Sequence, residues 1–225
     1  MIRKATQVDW DALSIISARA GYDDYINSEY GSSFLDTGTV YVSENSNIDG
    51  FIKIEPLEDM ALWFSGLRVS SESWRKHIGT ALLQYIYKYA GENSFNSLRC
   101  MVETTNIPSI KLMQSFGMSV KEKFNFFLGG IDLSEYKFIK FKPENFVNKQ
   151  WKFDKKCDGI YINGENRVYI YRGRMDYYTI LNGSDFKYTK DGTTCIPESL
   201  SIHLNLQPDQ GFPSGYIFEK GIKKH

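Results

Sequence analysis

The chain has 225 residues, 42% of them hydrophobic and 24% charged, and its basic and acidic side chains balance to a net charge of zero. That length builds a real core, as one large domain or two small ones. The neutral balance leaves no global field to draw nucleic acid or an anionic membrane, and no apolar run approaches the roughly 20 residues of a membrane span.

The N-terminal MIRKATQVDWDAL lacks the apolar centre of a secretion signal. Cys100, Cys157 and Cys195 lie far apart without metal-ligand spacing, and His77, His203 and His225 are scattered. No metal is expected, and a reducing cytoplasm is the expected compartment.

In chain order, IRKAT reads as a short strand and TQVDWDALSIISARA as a helix. Thr6 or Asp9 caps that helix, and Ala12, Leu13, Ile15 and Ile16 give it an apolar face. TVYVSE and IDGFIKIEPL alternate as strands. MALWFSGLRV alternates less cleanly, which suits burial on both faces. Ile78, Ala81, Leu82, Tyr85, Ile86 and Tyr89 follow helical spacing and predict a helix over 78–90. SLRCMVE is a further strand. NIPSIKLMQSFG is a short helix with Pro108 in its first turn and Gly117 as its stop. MSVKEKFNFFL and YKFIKFK close this part as strands.

After Lys142 no strong helix follows. Asn163–Gly164, between GIYI and RVYIY, and Asn182–Gly183, between YYTIL and FKYT, both predict tight hairpins. The expected class is therefore α/β with a mixed sheet over 1–145, followed by a small, mostly β domain over 146–225. In the latter, the tyrosines of YIYRGRMDYYTI read as a half-buried strand rather than a stacking surface, and His203 reads as structural.

One stretch carries chemistry. SWRKHIGTALL, starting at Ser73, follows a strand and opens a helix. The first N–H groups of a helix lack internal partners and face outward with the positive end of its dipole, an arrangement suited to a diphosphate. Arg75 and Lys76 add two charges, and Gly79 removes a side chain that would hold a phosphate away.

Three segments together resemble the GNAT N-acetyltransferase family over about residues 1–142: GFIKI at 50–54, LRVSSESWRKHIGTALL, and RCMVETTNIPSIKLMQSFGM. Val69 and Gly79 take the valine and last glycine of that family's pyrophosphate motif. Asn106, Ser109, Leu112, Gly117 and Met118 match the strand and helix that follow. The resemblance implies a fold that binds acetyl-CoA as co-substrate, with Leu67, Val69, Trp74, Arg75, Lys76, His77, Ile78, Gly79, Thr80, Asn106, Ser109 and Met113 around it. It also implies a gap between the fourth and fifth strands for the pantetheine arm, and a backbone N–H near Leu67–Val69 facing the thioester carbonyl.

Several positions depart from the family. Trp74 stands for Gln or Arg. His77 stands for the first motif glycine, and is expected to face outward from helical backbone rather than to bind phosphate. Trp63 stands where many relatives carry a glutamate, and Met113 where many carry a proton-donating tyrosine. Glu103 is the leading candidate for acid–base work, with Asp59, Tyr85 and Tyr22 behind it, and a water chain could also carry the proton.

The resemblance places the acceptor against residues 18–34, which hold Tyr22, Tyr25, Tyr30, Asp23, Asp24 and Glu29. These suit a cationic amine, or else form an acidic surface with tyrosines packed inward. The expected activity is direct acetyl transfer to a small-molecule or peptide amine. The alternatives are a non-catalytic acyl-CoA-binding scaffold, or a C-terminal binding module on a structural first domain. The C-terminal part could cover the acceptor, contact a partner or build a homodimer.

Overall fold

A computed structural model describes residues 1–20, 24–57, 59–140, 159–171, 177–200 and 214–223. The expected boundary near residue 145 lies outside them. Two compact units are seen. The first holds Met1–Cys100, Lys111–Met118 and Glu219–His225; the second holds Met101–Ile110 and Ser119–Phe218.

In the first unit the strands β1 (Ile2–Lys4), β2 (Thr39–Glu44), β3 (Ile48–Pro56) and β4 (Ala61–Val69) pair in sequence order, each antiparallel to the next. The strand β5 (Ser97–Glu103) then joins β4 in parallel. A parallel neighbour needs a crossover, and the helix α2 (Ile78–Glu92) supplies it.

Side-chain alternation along β2 and β3 decides which helix covers which face. Val40, Val42 and Phe51 face the helix α1 (Trp10–Ala18) and the loop behind it, where Leu13, Ile16, Ile26 and Phe34 complete a buried core. Tyr41 points the other way, onto Tyr85 and Tyr89 of α2, with ring centroids 4.9 and 6.0 Å away. The first helix is stopped short at its N-terminus by chemistry legible in the sequence. The backbone N–H and hydroxyl of Thr6 both donate to the Asp9 carboxylate, and Arg3 grips the same group from the side.

The end of the chain returns to this unit. Glu219, at the end of the strand β12 (Gly215–Gly221), accepts from Ser97 and Arg99 at 2.8 Å each. The Lys220 ammonium donates to the Phe116 carbonyl, at the end of the helix α3 (Ile107–Ser115), and lies 4.1 Å from the Phe116 ring centroid. A cation at a helix C-terminus satisfies an otherwise orphaned carbonyl.

The second unit is built on β6 (Ser119–Ile131), β7 (Lys137–Lys140), β8 (Gly159–Asn163), β9 (Asn166–Tyr171), β10 (Tyr177–Asn182) and β11 (Tyr188–Pro197). Their order is β6-β11-β10-β9-β8-β7. Phe127, Ile131, Val168, Ile180, Phe186 and Ile196 form its core. Asn163–Gly164 does make a tight hairpin: Asn163 pairs with Asn166, and Gly164 has φ +55°.

Asn182–Gly183 does not. β10 runs parallel to β11, with Tyr177 opposite Thr193 and Thr179 opposite Cys195. The reason lies after the turn, where Tyr188 and Thr189 pair with Ile131 and Gly130 of β6 before a bulge brings β11 alongside β10. Tyr169 is fully buried, as expected for a core tyrosine, while Arg172, Arg174 and His203 lie outside the described residues.

Among the described residues no helix is long and apolar enough to cross a membrane, and no group of His, Cys, Asp or Glu could hold a metal ion.

Candidate acyl-CoA and acceptor site

The first element of the site is a bulge in β4. Phe51 pairs with Arg68 and Lys53 with Ser65, so β4 carries one extra residue between them. Gly66 takes φ +59° there, and a Cβ on it would fall 2.7 Å from the Phe34 ring. Only glycine fits both the conformation and the space. Below the bulge β4 pairs with β5 through Ala61, Leu62 and Trp63 alone. Leu67 and Val69 lie past the point where that ladder stops.

The second element is the loop from Ser70 to His77. The Ser70 amide donates to the Asp49 carbonyl at 2.8 Å, and the Ser73 hydroxyl donates to the Asp49 carboxylate at 2.7 Å. The Trp74 indole Nε1 donates to the Val69 carbonyl at 3.0 Å, although the residue is 61% exposed. These bonds hold the loop at three points without using a ligand. Arg75 and His77 both lie in the left-handed region, at φ +63° and +60°.

The expectation that His77 sits on helical backbone is therefore not met. His77 is the residue before α2, and its left-handed geometry explains why a glycine suits this place. Histidine adopts it more readily than most side chains, at some cost. Arg75, Lys76 and His77 are exposed, and the helix proper starts at Ile78. The amides of Ile78, Gly79 and Thr80 belong to its first turn, where no preceding helical carbonyl exists to receive them.

Gly79 plays a different part from the one expected. A Cβ on it would meet Leu112 at 3.3 Å and Val69 at 3.8 Å, so its bare side faces the interior rather than a phosphate. Its smallness lets α2 close on β4 and α3.

The third element is the loop before β2. A turn over Ile26–Tyr30 and a 3-10 turn over Gly31–Leu35 carry an aromatic chain. Tyr25 meets Tyr30, Tyr30 meets Phe34, and Phe34 meets Phe51, edge to face at about 6 Å. Asp24, almost fully buried, takes two bonds from Arg68 at 2.7 and 3.0 Å, and one from the Ile26 amide at 3.1 Å. The loop is thereby tied to β4 immediately after the bulge. Lys53 is 5% exposed, and its ammonium bonds the Thr37 hydroxyl and lies 4.7 Å from the Phe34 ring centroid.

The model of the Acetyltransferase (GNAT) family matches residues 4–118, which contain all three elements. The chain belongs to the GNAT acetyltransferase family. Its fold resembles that of a presumed acetyltransferase from Thermoplasma acidophilum, at 18% identity and a TM-score of 0.69, over 98% of this chain and 99% of that one. A presumed GNAT acetyltransferase from Desulfovibrio desulfuricans, 12% identical, aligns with 55% of this chain and 87% of its own at a TM-score of 0.50. No curated protein sequence matches.

Within this GNAT enzyme the expected site residues separate. Leu67, Val69, Trp74, Arg75, Lys76, His77, Ile78, Gly79 and Thr80 gather in the first unit. Glu103, Asn106 and Ser109 belong to the second. There Glu103 is exposed, and the Asn106 carboxamide accepts from the Ser109 amide at 3.1 Å, which caps α3. Met113 is buried, with the Cys100 thiol donating to its sulfur at 3.7 Å.

The other acid–base candidates are committed elsewhere. Asp59 pairs with Arg99 at 2.7 Å. Tyr85 packs on Tyr41, whose hydroxyl is pushed up to about 12 chiefly by burial. Trp63 is buried, Glu29 is exposed, and Tyr22 and Asp23 lie outside the described residues. Sequence reasoning missed Asp49, Lys53 and Arg68. Only Lys53 left a trace, as a charge inside the otherwise apolar alternation of GFIKI.

Proposed function

We propose that this GNAT enzyme moves an acetyl group from acetyl-CoA to an amine by direct attack. The observation that carries the reading is the pre-set loop of 70–77. Its two left-handed residues and two exposed cations lead into the amide end of α2, beside the end of β4, past the last residue that pairs with β5. The first-turn amides of 78–80, with Arg75 and Lys76, would hold the diphosphate. Trp74 already spends its one donor on Val69, so it adds surface rather than a phosphate bond.

The end of β4 supplies the polarising group. A backbone N–H in 67–69 would receive the thioester oxygen as negative charge builds there, and a fixed amide dipole needs no reorganisation at that moment. Transfer without an acyl-enzyme fits the described thiols. Cys100 and Cys195 are free but fully buried, and burial pushes both well above the ordinary thiol range, away from the reactive thiolate. Two free thiols also suit a cytoplasmic home.

Calorimetry with acetyl-CoA, followed by thiol release over a panel of amines, tests the reading. Saturable binding with amine-dependent release supports it. Absence of binding overturns it.

A further inference from the structure

At the end of β4 the backbone carbonyls that turn away from β3 are already taken. The Ser70 amide donates to the Asp49 carbonyl, so residue 70 directs its backbone groups toward β3. Residues of an antiparallel strand alternate in this respect, so Val69 and, two places back, Leu67 direct theirs to the opposite side. On that side β5 pairs with β4 through Ala61, Leu62 and Trp63, short of these two residues. A bare strand edge offers acceptors and donors alike.

Here side chains cover the acceptors. Nη1 of Arg68 donates to the Leu67 carbonyl and Nε1 of Trp74 to the Val69 carbonyl, both at 3.0 Å. Arg68 also grips Asp24 with two bonds, which fixes its guanidinium in place. The Trp74 indole has a single donor. That donor goes to a backbone oxygen, although the side chain is 61% exposed.

We propose that Trp74 is a positioning residue for acetyl transfer: it keeps the Val69 carbonyl covered, so that the thioester oxygen meets an edge made of donors only. This rests on the acetyl-transfer reading above and names what prepares its polarising group. In an extended residue the N–H and the C=O lie on the same side. An oxygen that accepts from the Val69 N–H therefore sits beside the Val69 carbonyl oxygen. As the thioester oxygen gains negative charge, an uncovered neighbour would repel it and cancel part of what the N–H supplies. In a paired sheet an N–H of the next strand covers that carbonyl. A thioester carbonyl, flanked by methyl and sulfur, has no N–H to offer, and the indole supplies the missing donor.

Trp74 neither gives nor takes a proton. The amine nitrogen bonds to the acetyl carbon and pushes the carbonyl electron pair onto oxygen. That pair returns as the carbon–sulfur bond breaks and leaves its own pair on sulfur. The surplus proton of the nitrogen then neutralises the thiolate.

Isotope-edited infrared spectra of acetyl-CoA labelled at the thioester carbonyl, bound to the full chain without an amine, read the polarisation directly. In the wild type the carbonyl stretch should fall below that of free acetyl-CoA. Trp74→Phe keeps a ring but loses the donor, and should return the stretch toward the free value. With the amine best used by the wild type, its kcat should fall roughly fivefold to tenfold, the worth of one hydrogen bond. Its affinities for acetyl-CoA and for CoA, which lacks the carbonyl, should be unchanged. Trp74→Arg, whose Nε lies at a similar reach from the backbone, should restore part of both effects. An unshifted stretch in the wild type would overturn the proposal, as would a Trp74→Phe protein with the wild-type stretch and kcat. So would equal losses of kcat and of affinity for CoA, the mark of a loop that has merely loosened. Failure of the wild type to bind acetyl-CoA, or to release thiol with any amine, would instead overturn the parent reading.

Discussion

The Ser73 hydroxyl donates to the Asp49 carboxylate at 2.7 Å, and through that bond the start of β3 holds the loop that precedes α2. The Asp49 carbonyl receives the Ser70 amide as well, so one residue fixes both ends of the turn. Asp49→Ala should cost about 2 kcal/mol of stability, since Ser73 is buried and would lose a charged partner. Acetyl-CoA affinity should fall roughly tenfold as the loop loses its shape. Thermal unfolding and calorimetry measure the two effects, and Asp49→Asn should recover part of both.

His77 pays for its left-handed backbone whether or not a ligand is present. His77→Gly should stabilise the protein by about 1 kcal/mol, less the greater unfolded-chain freedom of glycine. For a chain of this size that raises Tm by about 2–4 °C. Acetyl-CoA affinity should hold or improve. A fall in Tm would mean that the imidazole makes a contact worth more than the strain.

Arg75 and Lys76 are exposed, so they contribute charge rather than packing. Changing both, as Arg75→Asp and Lys76→Glu, should weaken CoA by roughly a hundredfold and leave Tm nearly unchanged. Aspartate is chosen at 75 because it tolerates φ +63° better than most side chains. The loss should shrink at high salt and should be far smaller for pantetheine, which lacks the diphosphate.

The Arg3 guanidinium, followed by the Thr6 amide, holds the Asp9 carboxyl at about 2, while burial opposes the shift. A folded value below the unfolded one means that Asp9 stabilises the fold above the ordinary carboxylate range, near pH 4, and loses that contribution as pH falls towards 2. Urea midpoints measured from pH 6 down to 2.5 should fall for the wild type. In Asp9→Asn they should start lower and fall less over that window.

What the sequence by itself determined is local. Alternation marked β2 and β3, and the 3.6-residue period marked α2, because each reports which side of one element must leave water. The turn chemistry of Gly164 and the stop at Gly117 were legible for the same reason, as both positions need a left-handed φ that glycine supplies. Even the peculiarity at 77 was visible as a missing glycine, although not its backbone conformation.

The tertiary structure alone decided the partners. Asn182–Gly183 carries a hairpin signal, yet β10 lies parallel to β11, because the chain after the turn found β6 first. Asp24 and Arg68 are 44 residues apart, and nothing local to either announces the other. The bare side of Gly79 accommodates Leu112, a neighbour that nothing local to residue 79 announces. A side-chain pattern states that a face is buried but not what buries it. That depends on strand order and register, which join residues distant along the chain.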